Sequence, residues 1–202
     1  MEKAIHSFVE SLCQFDSTIS NHPIQNPYEK ENCRYNLENY LLHVAKHGSG
    51  IMLVGEAPGY RGCQLTGIPF TDEKQLISPN NYFGLGKWKR HPDTSDTSEI
   101  SANVIWEGLR NTKIIPLMWN AFPFHPYKAG NIRSNRKPTK AEIDFGLQQL
   151  QILCEMFNID SSNIYAIGRT AQKQLKLNDD HYIRHPANGG KQKCLAMIER
   201  LV

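Results

Sequence analysis

Apolar and polar positions along the chain fall into two alternating registers. Asn36 stands where it can cap a helix through Leu37, Leu41 and Val44, which Gly48 stops. Ile51-Met52-Leu53-Val54 follows, a continuous apolar run of the buried-strand type. A helix over 100–109 precedes a second run, Ile114-Ile115-Pro116-Leu117-Met118. Thr139 and Glu142 have capping-box spacing and open a long amphipathic helix through Leu147, Leu150, Leu153 and Phe157. A third strand is expected at Ile164–Ile167, then a helix over 170–177, a short strand at Tyr182-Ile183 and a last helix over 191–201.

Strands alternating with helices predict a three-layer α/β/α sandwich around a mostly parallel, four-stranded sheet. Such sheets bind ligands beyond the carboxyl ends of their strands. Attention therefore falls on Gly55 to Gly59, Asn120 to Pro126, Gly168-Arg169 and His185 to Gly190.

With 202 residues, the chain suits a single domain spanning 1–202, with a helical N-terminal part over 1–48 and an insertion over 77–99. At 40% hydrophobic and 21% charged, the composition excludes a disordered chain. No stretch reaches the roughly 20 apolar residues of a membrane span, and no apolar run follows the first charges, so a cytoplasmic protein is expected. The 5 cysteines are odd in number and lack C-x-x-C spacing, which fits free thiols better than a disulfide framework or zinc knuckle. His43 and His47, four apart on a helix, read as two surface histidines without a third metal ligand.

The net charge of +3 says little, but its distribution says more. Lys128, Arg133, Arg136, Lys137 and Lys140 lie in an acid-free stretch, as do Arg184, Lys191 and Lys193; Lys87, Lys89 and Arg90 surround Trp88. Each cluster alone reads as a solvated face.

Gly55-Glu56-Ala57-Pro58-Gly59 follows the first strand and makes a rigid turn that admits a ligand close to the backbone. Taken alone it is also a plain strand-to-helix turn. Neither G-x-G-x-x-G nor a phosphate loop is present, which counts against a nucleotide or sugar-phosphate enzyme. Phe70, behind Pro69, can present its ring to a planar ligand or simply fill the core. Asn120 carries a donor and an acceptor suited to a nucleobase edge, or caps its turn. His185 opens a basic loop at a strand end.

Together these segments resemble the uracil-DNA glycosylase superfamily, most closely its Gly-Glu-Ala-Pro-Gly branch. The resemblance adds Thr66-Gly67-Ile68-Pro69-Phe70, Asn135-Arg136-Lys137-Pro138 through Glu142, Gly168-Arg169-Thr170-Ala171 and His185-Pro186, in order from about Ile51 to the C-terminus. It implies a DNA-repair enzyme of base excision repair that flips a deaminated base, uracil or related, out of the stack. The enzyme hydrolyses the N-glycosidic bond as a monofunctional glycosylase and leaves an abasic site. Glu56 would orient the attacking water and steady the sugar cation, and His185 would donate to the base O2. Ala57, Pro58, Gly59, Phe70 and Asn120 would bind the base, with Phe70 stacking and Asn120 reading its Watson–Crick edge. Lys128, Arg133, Arg136, Asn188, Lys191 and Lys193 would hold DNA, the partner, single- or double-stranded. A monomer without membrane attachment is expected.

The chain departs from the superfamily in four places, the first against that branch and the others against some of its relatives. The aligned third and fourth cluster cysteines read Phe124 and about Gly146, and Cys13 and Cys33 stand far apart, so no iron–sulfur cluster, no metal and no cofactor is expected; Phe122 and Phe124 would pack in its place. Gly59 stands where some relatives carry a bulky tyrosine, which leaves room for substrates larger than uracil. Ala57 cannot activate water, which leaves Glu56 or a later residue such as Asp72. The loop after His185 lacks a large apolar wedge. These departures favour an alternative, a non-catalytic module of the same fold that recognises damaged or single-stranded DNA.

Overall fold

The computed structural model describes residues 1–77, 88–91, 97–110 and 115–201. Helix α1 (Glu2–Cys13) buries Ile5, Phe8, Val9 and Leu12, an i, i+3, i+4, i+7 stripe. After the short strand β1 (Ile24–Gln25), helix α2 (Glu31–His47) packs against α1 and the sheet. Asn36 is not its cap. It lies mid-helix and buried, donating from Nδ2 to the carbonyls of Thr66 (2.9 Å) and Lys89 (2.8 Å) while its Oδ1 accepts the Lys89 N–H (2.8 Å). A partner far along the chain outweighs the local capping preference and ties the 88–91 segment to α2.

Strand β2 (Gly48–Gly55) leads into two short helices, α3 (Cys63–Thr66) and α4 (Glu73–Ile77). Helix α5 (Ile100–Leu109) precedes strand β3 (Ile115–Asn120). Ile114, Lys87 and most of the expected 77–99 insertion lie outside the described residues. Strand β4 (His125–Pro126) is followed by helix α6 (Lys140–Phe157), whose Thr139–Glu142 capping box forms as its spacing predicts. Strand β5 (Ile164–Ile167), helix α7 (Arg169–Leu175), strand β6 (Tyr182–Ile183) and helix α8 (Lys191–Leu201) complete the chain.

The sheet has strand order β3-β2-β5-β6 and every pairing in it is parallel, with helices flanking it. Pro116 has no N–H to give, and it sits on an edge strand where none is needed. Buried Tyr40 closes part of that edge: its hydroxyl donates to the Pro116 carbonyl (3.0 Å) and accepts the Met118 N–H (2.6 Å). A separate antiparallel pair, β1 with β4, is too short to have left a periodic signal in the sequence. No described helix is long and apolar enough to cross a membrane.

Candidate active site

All four strands of the parallel sheet end at one cleft of about 460 Å³, lined by residues from each of the expected segments. Gly55 and Asn120 pair as the last residues of β2 and β3. Beyond them the ladder continues, since Ala121 N–H reaches the Gly55 carbonyl (2.8 Å) and Phe122 N–H the Glu56 carbonyl (3.1 Å). The Glu56 turn is therefore held by the backbone of the neighbouring strand end.

Glu56 is half-buried, and its Oε1 is buried without a hydrogen-bond partner. Burial raises its pKa, while the charge of Lys137 and a hydrogen bond from Thr170 pull the other way. An unpartnered carboxylate oxygen beside a cleft is an acceptor awaiting a donor. Asp72 is not a substitute base. It is buried, with Oδ1 taking the Gln75 N–H (2.9 Å) and Oδ2 the Glu99 N–H (2.7 Å).

Gly55 is bare because its neighbours require it: a Cβ there would stand 2.6 Å from Cζ of Phe70 and 2.7 Å from Oδ1 of Asn120. Phe70 and Asn120 thus meet at one glycine. Phe70 holds φ +52°, a left-handed conformation costing roughly 1–2 kcal/mol outside glycine. Buried threonines hold it there. Thr66 Oγ1 donates to the carbonyl of Thr71 (2.8 Å), Thr71 Oγ1 to that of Pro69 (3.1 Å), and Trp106 Nε1–H to Thr71 Oγ1 (3.2 Å). Strain so supported is a mark of functional positions. No described residue hydrogen-bonds the Asn120 amide, so both its donor and its acceptor are open to a ligand.

His185 packs on Gly168, whose φ of +93° suits glycine and where a Cβ would lie 3.3 Å from the histidine Cβ. The Ala187 N–H donates to Nδ1 (3.2 Å) and so fixes the neutral tautomer with its proton on Nε2, which lies 3.5 Å from Ser101 Oγ. Burial, then the charge of Arg184, lowers the His185 pKa. The ring is thus a neutral donor.

Ala57, Pro58 and Gly59 line the same cleft. The room expected at Gly59 is partly taken: a Cβ there would meet Glu99 Oε1 at 3.2 Å. Glu99 also lines the cleft, and burial, then Asp72, pushes its pKa up to about 7. Sequence reasoning missed it because an acid just before a helix reads as a partner of the helix dipole. Ser101 and Arg184 were missed likewise.

The residues expected to hold DNA divide. Lys128, Arg133 and Lys193 are exposed, and no described residue pairs with their side chains. Asn188 lies at the cleft with φ +53°, its carbonyl taking a hydrogen bond from Arg184 (3.3 Å). Lys191 pairs with Glu107 (2.8 Å). Arg136 lines the cleft, but its guanidinium grips the buried Glu142 bidentately, at 2.6 and 2.7 Å, and the Pro23 carbonyl at 3.0 Å. Its geometry is that of a structural clamp rather than of a free phosphate contact.

Buried His125 links two rims, with Nδ1 2.9 Å from the Pro58 carbonyl and Nε2 3.1 Å from the Ile132 carbonyl. Where the resembling branch would carry its third cysteine, Phe124 packs with Phe15, Phe122 and Phe145 at centroid distances of 4.2, 5.4 and 5.7 Å. At Gly146 a Cβ would stand 1.9 Å from the Ala121 carbonyl, so the helix lies directly on that loop. Among the described residues no three His, Cys, Asp or Glu side chains group as metal ligands, and the His43 and His47 rings pack at 4.6 Å.

An open parallel sheet whose strand ends bring a carboxylate, an amide, an aromatic ring and a neutral imidazole to one cleft defines an α/β protein suited to a small planar polar ring. The sequence comparisons narrow the class. The family model described as the uracil DNA glycosylase superfamily matches residues 42–198, and the chain belongs to that superfamily. Among solved structures, the wild-type SMUG2 of Pedobacter heparinus shares the fold, with a TM-score of 0.67 and 20% identity over 96% of this chain and 95% of that one. No curated protein sequence matches the chain.

Proposed function

We propose that this protein is a monofunctional DNA glycosylase, which flips a deaminated base such as uracil out of DNA and hydrolyses its N-glycosidic bond. The observation that carries the reading is that one cleft is lined by both Glu56, with its unpartnered oxygen, and His185, whose Nδ1 accepts the Ala187 N–H and leaves Nε2 to donate. Bond breakage leaves a cationic sugar and an anionic base. As the C1′–N1 bond breaks, Glu56, ionised, faces the cation, accepts a hydrogen bond from the attacking water and takes its proton while the C1′–O bond forms. The base leaves as an anion, and His185 donates to the charge growing on its O2, the kind of preorganised contact that lowers a barrier by about 3–4 kcal/mol. Asn120 accepts from N3–H and donates to O4 of uracil, a polarity that cytosine reverses. Phe70 stacks on the extruded ring.

The exposed Lys128, Arg133 and Lys193 supply phosphate contacts, and Asn188 a polar one at the cleft. Five unpaired cysteines fit work in the reducing cytoplasm, and a cleft lined by described residues of one chain supports a monomeric repair enzyme.

The test is an oligonucleotide assay. Single- and double-stranded DNA bearing uracil, hypoxanthine, xanthine or a thymine mismatch is incubated with protein, and alkali then cuts abasic sites. Cleavage at one base, lost in Glu56→Gln, is expected. Salt-sensitive DNA binding with no base released would replace this reading with a recognition module, which the unreactive Ala57 favours.

A further inference from the structure

A base leaving the duplex empties a slot in the stack, and an apolar side chain inserted between base steps helps to hold duplex DNA open. The loop after His185 offers Pro186, which is buried, and the small Ala187 and Asn188 beside its glycines, so no large apolar side chain stands exposed there. The opposite rim of the cleft differs. There the chain leaves the cleft at Pro126 and returns to it at Asn135, and between them Ile132 is 48% exposed. Lys128 and Arg133, with no described partner for their side chains, stand on the same loop.

This loop is not slack. The Asn131 N–H reaches the Lys128 carbonyl (2.9 Å), the Lys128 N–H reaches Ser134 Oγ (3.0 Å), and Ser134 Oγ donates to the Asn131 carbonyl (2.5 Å). The Arg133 N–H caps on Asn131 Oδ1 (3.1 Å). Ile132 itself is positioned by His125, which sits between its carbonyl and that of Pro58 in the Glu56 turn. A β-branched side chain has few rotamers to lose and serves well as a fixed probe. It stands exposed on a braced basic loop, one buried ring away from the Glu56 turn.

We propose that Ile132 is the wedge that enters the base stack as the target base swings into the cleft, with Lys128 and Arg133 holding the flanking phosphates. The proposal rests on the glycosylase reading above and assigns the protein a duplex-opening residue on the loop between β4 and α6.

The experiment uses a duplex with 2-aminopurine stacked next to a non-cleavable 2′-fluoro-deoxyuridine, together with cleavable uracil in duplex and single-stranded DNA. Wild-type protein is expected to raise the 2-aminopurine fluorescence. Ile132→Ala is expected to lose most of that rise and to turn over duplex uracil about tenfold more slowly, relative to single-stranded uracil, than wild type. Ile132→Leu should keep both, and matching melting temperatures show that all three proteins are folded. An Ile132→Ala protein with the wild-type fluorescence rise and duplex-to-single-strand ratio overturns the proposal. A wild-type protein that releases uracil from single strands but leaves the 2-aminopurine stacked also overturns it, with the glycosylase reading intact. No uracil released from either strand form fails both.

Discussion

The carboxyl of Glu99 lies on the bare backbone of Gly62, where a Cβ would stand 1.8 Å from Oε2. With Gly59 beside it, the glycine-floored niche turns a residue preceding α5 into one wall of the cleft. Burial there, and the neighbouring Asp72, move the Glu99 pKa from 4.5 up to about 7. The folded protein therefore holds this proton more tightly than the unfolded chain does. Stabilisation from it is full below about pH 4.5 and fades as pH rises through 7. Urea unfolding at pH 5 and pH 8 should show the fall, at most about 2–3 kcal/mol from this group. Glu99→Gln should flatten it. Gly62→Ala, by expelling the carboxyl, should flatten it too and lower the melting temperature.

In the proposed mechanism Glu56 acts ionised, and burial raises its pKa. Turnover should therefore rise with pH through a midpoint above the ordinary glutamate value, with no acid limb left in Glu56→Gln. That substitution is expected to slow base release by about 10²–10⁴ while DNA affinity stays near wild type. Single-turnover rates across pH 4.5 to 8, with anisotropy titrations for affinity, check both.

In the proposed mechanism His185 donates as a neutral ring, since the Ala187 N–H occupies Nδ1 and burial lowers the pKa. Turnover should stay level as pH rises from 6.5 to 8; a steep decline over that range would mean that the imidazolium is the active form. His185→Ala should cost about 10²–10³ in rate.

Arg136 and Arg133 are three residues apart and should fail differently. Arg136→Ala strands the buried Glu142 charge, at a cost of about 3–5 kcal/mol of stability. Arg133→Ala should leave the melting temperature unchanged, weaken DNA binding and reduce the salt slope by about one. Thermal melts and binding titrations over a salt series separate the two.

The expectations that held rest on short-range patterns. Ile51 to Val54 and Ile164 to Ile167 declared their strands by unbroken apolar runs, and Thr139 with Glu142 declared a helix start. The cleft was legible because parallel strands deliver their carboxyl ends to one place, whatever the helices do. What escaped notice depends on distant partners. Asn36 reads as a cap until Thr66 and Lys89 come to lie beside it, Arg136 as a phosphate contact until Pro23 joins Glu142 around its guanidinium, and Glu99 has no place in the cleft until two glycines make room for it. No local pattern encodes such pairings.

Gly146 weakens α6 by roughly 0.5–1 kcal/mol relative to alanine, yet it lets the helix rest on the Ala121 carbonyl. The amides of Ala121 and Phe122 in turn carry the carbonyls of Gly55 and Glu56. The aim of the carboxylate is thus set from outside the sheet, through two rigid contacts in series. On the proposed mechanism a sideways push on α6 would reach the Glu56 turn as misalignment, so rate would gauge how that helix is seated even where stability is untouched.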